Sequence, residues 1–438
     1  MNLGIININD IGIQVALNDS IIDTSPGYAV IDKDKIYLGM SGRSKYKSLP
    51  TWRHNRFWSE TNTETLPQKH QIAESTADLV FLHIQQLWDQ ISAEADKLVI
   101  AVPSSFGEEN LGLLLGMCEE LKIPLACFVD ASIAEAAQEE THSNIIHIEI
   151  HLHSLTLTQM KRERMVSRQN VRQIESFGLS KFIDSWTALI AEQSIKDLRI
   201  DPIHKGESEQ ELFNKIPLWI NEFRGQPSKK FSIESEGRNR EISISLESVM
   251  ETCATFYQDI AETLEKVRAR EKSSLIISSR LNGFPGFMDS LYQLGGFDIL
   301  TLSNDSTIKS INKLKSELLI NNGGVKYFTK LPGLEKASET IGSHRYSPTH
   351  MVWKHQAIPI KSNFDFDADI NEGPQRAENP VGSLSFLGSE LHLKVLRPEF
   401  LKLNGKRVNE SSILLAGDRL NVRGTEILFV SELNDGEG

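Results

Sequence analysis

The feature that most narrows the fold of this chain is an alternation of helical stretches with short apolar runs. Residues 75–95 carry Leu79, Leu82, Leu87 and Ile91 at helical spacing, and Lys97-Leu98-Val99-Ile100-Ala101-Val102-Pro103 follows as a run of buried-strand character. A second helical stretch, 108–121, precedes the apolar run 125–129, and residues 132–138 are short and alanine-rich. Strands separated by helices pair in parallel through crossovers, so this order predicts an α/β sheet. The N-terminal residues 3–17 read as two short strands around the polar break Asn9-Asp10, with another extended stretch near 28–38. Further on, 155–174 reads as a hairpin turning near Arg162-Glu163-Arg164, and 182–199 and 207–223 as helices. A long helix over 246–270 sets Val249, Cys253, Phe256, Ile260, Leu264 and Val267 on one face and leads into a strand over 274–279.

A chain of 438 residues exceeds the usual size of one core, so two or three domains are expected. Residues 361–380 gather Asp365, Asp367, Asp369, Glu372 and Glu378 with Gly373, Pro374 and Pro380, which predicts an acidic linker. Beyond it, short β-rich segments are broken by Asn404-Gly405 and Gly417-Asp418, the turn chemistry of a small all-β module. The expected division is a first lobe over 1–140, a second over 141–360, the linker over 361–380 and the β-module over 381–434. The start of the sequence has no basic leader, and no apolar run reaches the ~18 residues that span a bilayer, so a cytoplasmic protein without a membrane partner is expected. A net charge of -12 argues against nucleic acid as the partner. Cys118, Cys127 and Cys253 lie in apolar surroundings without paired spacing, which predicts core thiols rather than disulfides or a zinc site.

The segment Ile145-Ile146-His147-Ile148-Glu149-Ile150-His151-Leu152-His153-Ser154 alternates apolar with polar residues and predicts one strand with His147, Glu149, His151 and His153 on a single face. Such a face suits a metal or proton-transfer site, a hydrogen-bonded cleft wall, or an ordinary half-buried strand; no fourth ligand stands out for a metal. Lys161, Arg162, Arg164, Arg168 and Arg172 form the most basic stretch and read as a solvated hairpin face. Arg43, Lys45, Lys47, Arg53, His54 and Arg56 are interleaved with Tyr46, Trp52, Phe57 and Trp58, a mixture that suits a protein contact or a locally packed loop.

Residues 98–106, followed by a helix and then by Phe128-Val129-Asp130-Ala131-Ser132-Ile133-Ala134-Glu135-Ala136-Ala137, resemble the actin-like ATPase superfamily, and most nearly the seventy-kilodalton heat-shock chaperones. In that family a strand ending in Val-Pro precedes a helix, and an alanine-rich segment opens the helix that connects two lobes. Residues 147–158 then take the place of the second phosphate loop and residues 3–17 that of the first phosphate hairpin. Leu275-Ile276-Ile277-Ser278-Ser279-Arg280-Leu281-Asn282-Gly283-Phe284-Pro285-Gly286-Phe287 resembles the adenosine loop. Over roughly residues 1–360 the resemblance implies a two-lobed actin-like fold of ribonuclease-H-like repeats, followed by the small all-β domain. It implies a nucleotide pocket at Asn7, Asn9, Asp10, Glu149, His151, His153, Ser278, Ser279 and Gly283, for ATP or ADP with Mg²⁺ if any cofactor binds. No catalytic residue is assigned.

Departures from the family pattern shape the functional expectation. Asn7 takes the place of the first-loop Asp, Asn9-Asp10 replaces a Gly-Thr pair, Ala131 stands where a Glu would help place metal and water, and residues 151–153 replace three glycines. Ser278-Ser279 replaces the glycine pair on which a purine would rest. Phosphoryl transfer on such folds depends on positioned carboxylates, Mg²⁺ and close backbone donors, and losing them costs on the order of several kcal/mol of transition-state stabilisation. The expectation is a non-hydrolysing scaffold or regulatory factor that binds other proteins. The alternative is an ATP-binding, slowly hydrolysing chaperone-like ATPase in which Glu149, Asp10 and Asn7 handle the metal and Ser278, Ser279 and Gly283 the adenosine. The tail, 400–430, resembles the second half of a forkhead-associated domain, without the upstream Gly-Arg and Ser-x-x-His of a phosphothreonine reader; a β-module that docks on the body or on another protein is the plainer expectation.

Overall fold

The structure, a computed structural model, describes residues 1–33, 35–49, 52–66, 72–175, 177–221, 223, 226–235, 238–269, 271–320, 324–334, 348–353, 356–360, 364–367, 380–387, 390–408, 411–423 and 425–430. It is a mixed α/β protein with several sheets. Two compact units divide the chain, Met1–Lys336 and Ala337–Gly438.

The first unit opens with β1 (Leu3–Asn7), β2 (Ile13–Leu17) and β3 (Ser20–Ser25), an antiparallel meander with a bulge in β2 at Val15/Ala16. Every residue of β1 is buried, as expected of a central strand covered on both faces. A small sheet of β4 (Ala29–Asp32), β5 (Lys35–Leu38) and β6 (Arg53–His54), with helix α1 (Gly39–Arg43), precedes α2 (Thr76–Asp89). Helix α2 starts at a capping box: the Ser75 hydroxyl accepts from the Asp78 amide while the Asp78 carboxylate accepts from the Ser75 amide. Strand β7 (Lys97–Val102), helix α3 (Glu108–Glu120) and strand β8 (Leu125–Asp130) follow, and α4 (Ala131–Ala137) leads out of the sheet.

The same order then recurs. An antiparallel meander, β9 (Asn144–Ile150), β10 (Leu155–Arg162) and β11 (Met165–Ile174), precedes an insertion of α5 (Leu179–Leu198), α6 (Gly206–Asn221) and the hairpin β12 (Ser228–Ser235) with β13 (Arg238–Ser245). Helix α7 (Leu246–Val267) brings the chain to β14 (Ser273–Ile277), then α8 (Phe287–Leu294), β15 (Phe297–Thr301), α9 (Ser306–Lys313) and α10 (Lys315–Leu318). Strands β16 (Lys326–Phe328) and β17 (Lys330–Pro332) finish one sheet each. The two sheets run β3-β2-β1-β7-β8-β16 and β11-β10-β9-β14-β15, the latter with β17 beyond β11. In both, the first strand of the meander pairs in parallel with a strand that returns after a helix, and that strand pairs in parallel with the next.

Helices α4 and α9, which follow equivalent strands, share one buried cluster between the sheets with Leu3, Val99, Val129, Ile145 and Ile276. Ala131, Ala134, Ala136 and Ala137 are all buried, so α4 is enclosed on every side because its side chains are small.

Several expectations are revised by the structure. Strand β9 ends at Ile150, and residues 151–154 form a turn closed by the His151 amide on the Ser154 carbonyl, so the strand carries only His147 and Glu149 of the expected face; His151 stays beside Glu149 from the turn, and His153 turns away to the Asn55 carbonyl. No element is expected between 223 and 246, yet the hairpin β12–β13 lies there with a period of two: Phe231, Ile233, Ile242 and Ile244 are buried while Ser232, Glu234, Glu241 and Ser243 are exposed.

The second unit begins earlier than composition suggested. Strands β18 (His350–Trp353), β19 (Gln356–Pro359), β20 (Phe364–Asp367), β21 (Pro380–Leu387), β22 (Glu390–Val395), β23 (Leu401–Leu403), β24 (Lys406–Arg407), β25 (Ser412–Leu414), β26 (Arg419–Val422) and β27 (Thr425–Val430) form two sheets, ordered β19-β18-β27-β26-β23-β24 and β20-β21-β22-β25. Both contribute to one core that includes Met351, Val381, Leu384, Leu393, Leu401, Leu414, Val422 and Phe429. Strands β18 and β19, expected in the second lobe, pair with this unit through β27, and β20, expected in the linker, pairs with β21. Acidic composition hid a strand whose partner lies beyond the segment itself. The remainder of the expected linker, 361–363 and 368–379, lies outside the described residues. The predicted turns are present: Asn404 and Gly405 have φ of 50° and 80°, and Asp418 accepts from the Asn404 amide (3.0 Å) and the Leu415 N–H (2.9 Å). Among the described residues no helix is long and apolar enough to cross a membrane.

Candidate functional site

The β1–β2 turn and the turn after β9 meet at the junction of the two large sheets. Asn9 donates its amide to Glu149 Oε1 (2.7 Å) and to the Ile150 carbonyl (3.0 Å), and its own Oδ1 accepts from the Ile11 N–H (3.1 Å). Asp10 Oδ1 accepts from the Leu152 N–H at 2.8 Å. His151 stands between the two carboxylates, with Nδ1 3.7 Å from Asp10 and Nε2 3.8 Å from Glu149. Arg280 donates to the Gly12 carbonyl (2.9 Å) and places its other terminal nitrogen 3.8 Å from Glu149. Asn9, Asp10, Glu149 and His151 are all buried.

Burial pushes the Asp10 carboxyl above the usual carboxylate range, and His151 and the Leu152 N–H only partly offset it. Burial acts on Glu149 in the same sense, but His151, His147, Arg280 and the Asn9 amide outweigh it and hold that carboxyl below its ordinary value. A backbone N–H that could grip a bound anion is therefore taken by Asp10, and the side chain opposite Asn9 is an ionised carboxylate.

A second network lies deeper. Asn7 donates to Gln14 Oε1 (3.1 Å) and Thr307 Oγ1 (3.0 Å), Thr307 donates to Glu135, and Glu135 Oε2 lies 2.8 Å from His147 Nε2 in ion contact, bent away from a straight hydrogen bond. The network joins β1, β2, α9, α4 and β9. Burial pulls the His147 pKa down, but Glu135, with Glu149 and Asp130 behind it, raises it above the ordinary value. At the start of α4, Asp130 accepts from Ser104 (2.7 Å), the Ile133 N–H (3.2 Å) and Arg168 (2.8 Å), while burial pushes its carboxyl up.

The basic stretch on the β10–β11 hairpin is only in part the solvated face that its composition predicts. Lys161, Arg164 and Arg172 are exposed. Arg168 instead pairs with Asp130, and the buried Arg162 donates to Thr141 and to the Ala136 and Glu139 carbonyls, neutralising the C-terminal end of α4.

The basic and aromatic stretch 43–58 bridges the small sheet to α5 and α6. The Lys47 ammonium lies 2.9 Å from Glu209 and 3.6 Å from Asp184, its N–H donates to Gln210 (2.6 Å), and Gln210 donates to the Arg43 carbonyl (2.9 Å). Arg43 covers the Phe213 ring, which stacks on Tyr46 and meets Tyr28 edge-on. Trp58 donates to His83, whose pKa burial pulls down to about 4. Between these contacts and the Asp10–Leu152 bond remains a cavity of about 50 Å³ lined by Asp10, Trp58, Ser105, Asn110, His151 and Gln173. That is room for water; sites for small organic ligands run to ~300–1,000 Å³.

The remaining predicted residues are more scattered. His153 turns to the Asn55 carbonyl (3.1 Å), and burial together with Arg56 holds its pKa to about 4. Ser278 is buried and its N–H donates to Ile148 (3.0 Å), while Ser279 opens a short 3-10 turn ending at Leu281. A Cβ on Gly283 would collide with the Asn221 side chain, so the end of α6 closes on the loop. Thus Asn9, Asp10, Glu149 and His151 come together, Asn7 joins the deeper network, and Ser278, Ser279, Gly283 and His153 serve local packing. Arg280 and Glu135 escape the sequence reading as site residues although both stand in segments that carry the resemblance, each as a charge among apolar or small neighbours. Gln14 and Thr307 give no local signal. Among the described residues no group of three or more His, Cys, Asp and Glu could hold a metal ion. No protein-family model matches the chain, and no curated protein shows significant similarity to it.

Proposed function

We propose that residues 1–336 are a degenerate actin-like body, of the heat-shock-chaperone type, that acts as a non-hydrolysing scaffold or regulatory factor for other proteins. The recurrence of one strand order in two sheets, with α4 and α9 packed between them, supports the ribonuclease-H-like repeat. The observation that carries the reading is the Asp10 carboxyl on the Leu152 N–H, beside Asn9 on Glu149: side chains occupy the gap in which a phosphate would sit. Admitting a triphosphate means breaking these two bonds and the Arg280–Gly12 bond. At ~1.5–3 kcal/mol for hydrogen bonds to charged groups, that costs roughly 5–9 kcal/mol, comparable with the ~8 kcal/mol of a micromolar ligand. Glu149 would also repel the phosphates it faced.

The second unit reads as a forkhead-associated-like β-sandwich used for docking. Residues 368–379, between β20 and β21, contain neither serine nor histidine, which disfavours phosphothreonine reading. Calorimetric titration of the intact chain with ATP and ADP, with and without Mg²⁺, tests the whole reading. No saturable heat is expected; saturable micromolar binding with Mg²⁺-dependent turnover would instead establish the slow ATPase.

A further inference from the structure

Helix α7 has a second face that its role in the core leaves open. Its main apolar face, Val249, Cys253, Phe256, Ile260 and Leu264, is buried inside the first unit. On another side, Leu246, Met250, Ala254, Tyr257 and Ala261 recur at helical spacing and, together with Gly286 and Leu294 at the two ends of α8, line a groove of about 940 Å³. The floor is fixed. Tyr257 donates to the Pro285 carbonyl at 2.8 Å, and Met250 lies over Gly286. That glycine has a φ of 73°, and a Cβ there would stand 2.6 Å from Met250 Cε, so no other residue fits without strain.

The charge around this floor has one sign. Glu247, Glu251 and Asp289 line the groove, and among its described lining residues there is no lysine, arginine or histidine. From Leu246 to Ala261 the helix runs about 22 Å, the length of four turns of a second helix laid beside it. The groove shares no residue with the cleft between the sheets.

We propose that the α7–α8 groove docks a basic amphipathic helix of a partner protein, with its leucine-like face on Leu246, Met250, Ala254 and Leu294 and its lysines or arginines against Glu247, Glu251 and Asp289. Methionine in the floor adapts to the shape of the incoming side chains. The proposal rests on the scaffold reading for the nature of the partner and names what that partner presents.

The test uses the full chain and a fluorescent peptide of about 18 residues, long enough to fill the groove as a helix, built from leucine and lysine at helical spacing. A matched leucine–glutamate peptide is the control, and anisotropy is read at ~0.15 M salt, where long-range attraction is screened. Saturable binding of the basic peptide alone is expected. Ala254→Arg, which fills the exposed wall, and the double variant Glu247→Lys with Glu251→Lys should each weaken it at least about tenfold. No saturable binding, or binding unchanged in Ala254→Arg, overturns the proposal. A concentration-dependent dimer that Ala254→Arg abolishes assigns the groove to a second copy of the chain and overturns it as well. Mg²⁺-ATP turnover in the same preparation would sink the scaffold reading while leaving the peptide result standing, so the two failures are separable.

Discussion

Asp10 shows how one side chain can settle what a turn does. Its carboxyl is buried, raised in pKa and bonded to the Leu152 N–H. Asp10→Ala leaves that donor unpaired and should destabilise the chain by about 1–3 kcal/mol in urea unfolding, whereas Asp10→Asn keeps an accepting oxygen and should lose much less. His147 offers a pH-dependent counterpart. Its folded pKa is raised above 6.5, so the stability it contributes is fully present below 6.5 and fades as pH rises through the folded value. His147→Gln should therefore cost more at pH 6 than at pH 8.5. The difference between variant and wild type is the readout, because His83 and His153, both lowered, pull the slope of the whole chain the other way. Equal losses at the two pH values would remove His147 from the account.

Among the elements, α4 is the most constrained. Ala134 is fully buried between the two sheets, and Ala134→Leu adds volume where neither sheet can retreat; a loss of about 1–3 kcal/mol is expected from a denaturant midpoint measurement. Elements of this kind were legible in advance where their signal is local. The β10–β11 hairpin turns where Arg162-Glu163-Arg164 predicted it, and α7 buries the face its spacing predicted, from Val249 to Leu264. What escaped is non-local. The pairing of β18 with β27 spans some seventy residues of chain, and the approach of Asp10 to Leu152 depends on two sheets folding first. Arg162 and Arg168 looked solvated because their partners, the end of α4 and Asp130, are set by tertiary contacts rather than by neighbours on the hairpin.

For the whole molecule, the division at Lys336 and Ala337 has an experimental consequence. A fragment of residues 337–438 contains every described strand of the second unit, whereas one beginning at 381 lacks β18, β19 and β20 and leaves β27 and β21 paired on one side only, with β26 and β22. The longer fragment should show dispersed amide resonances and cooperative melting, the shorter one neither. Failure of the longer fragment to fold alone would mean that its core needs the first unit. The intact chain should melt in two calorimetric transitions, since the core of the second unit is a cluster of its own.

The bond from the Leu152 amide to Asp10 has one more consequence. Its hydrogen is sealed at the seam where the two sheets meet, held by a side chain from the opposite sheet. It leaves for deuterium only when the seam parts. A single exchange rate at that position thus clocks the breathing of the whole first unit, and any partner that props the seam open or clamps it shut will speed or slow that clock, wherever on the surface it binds.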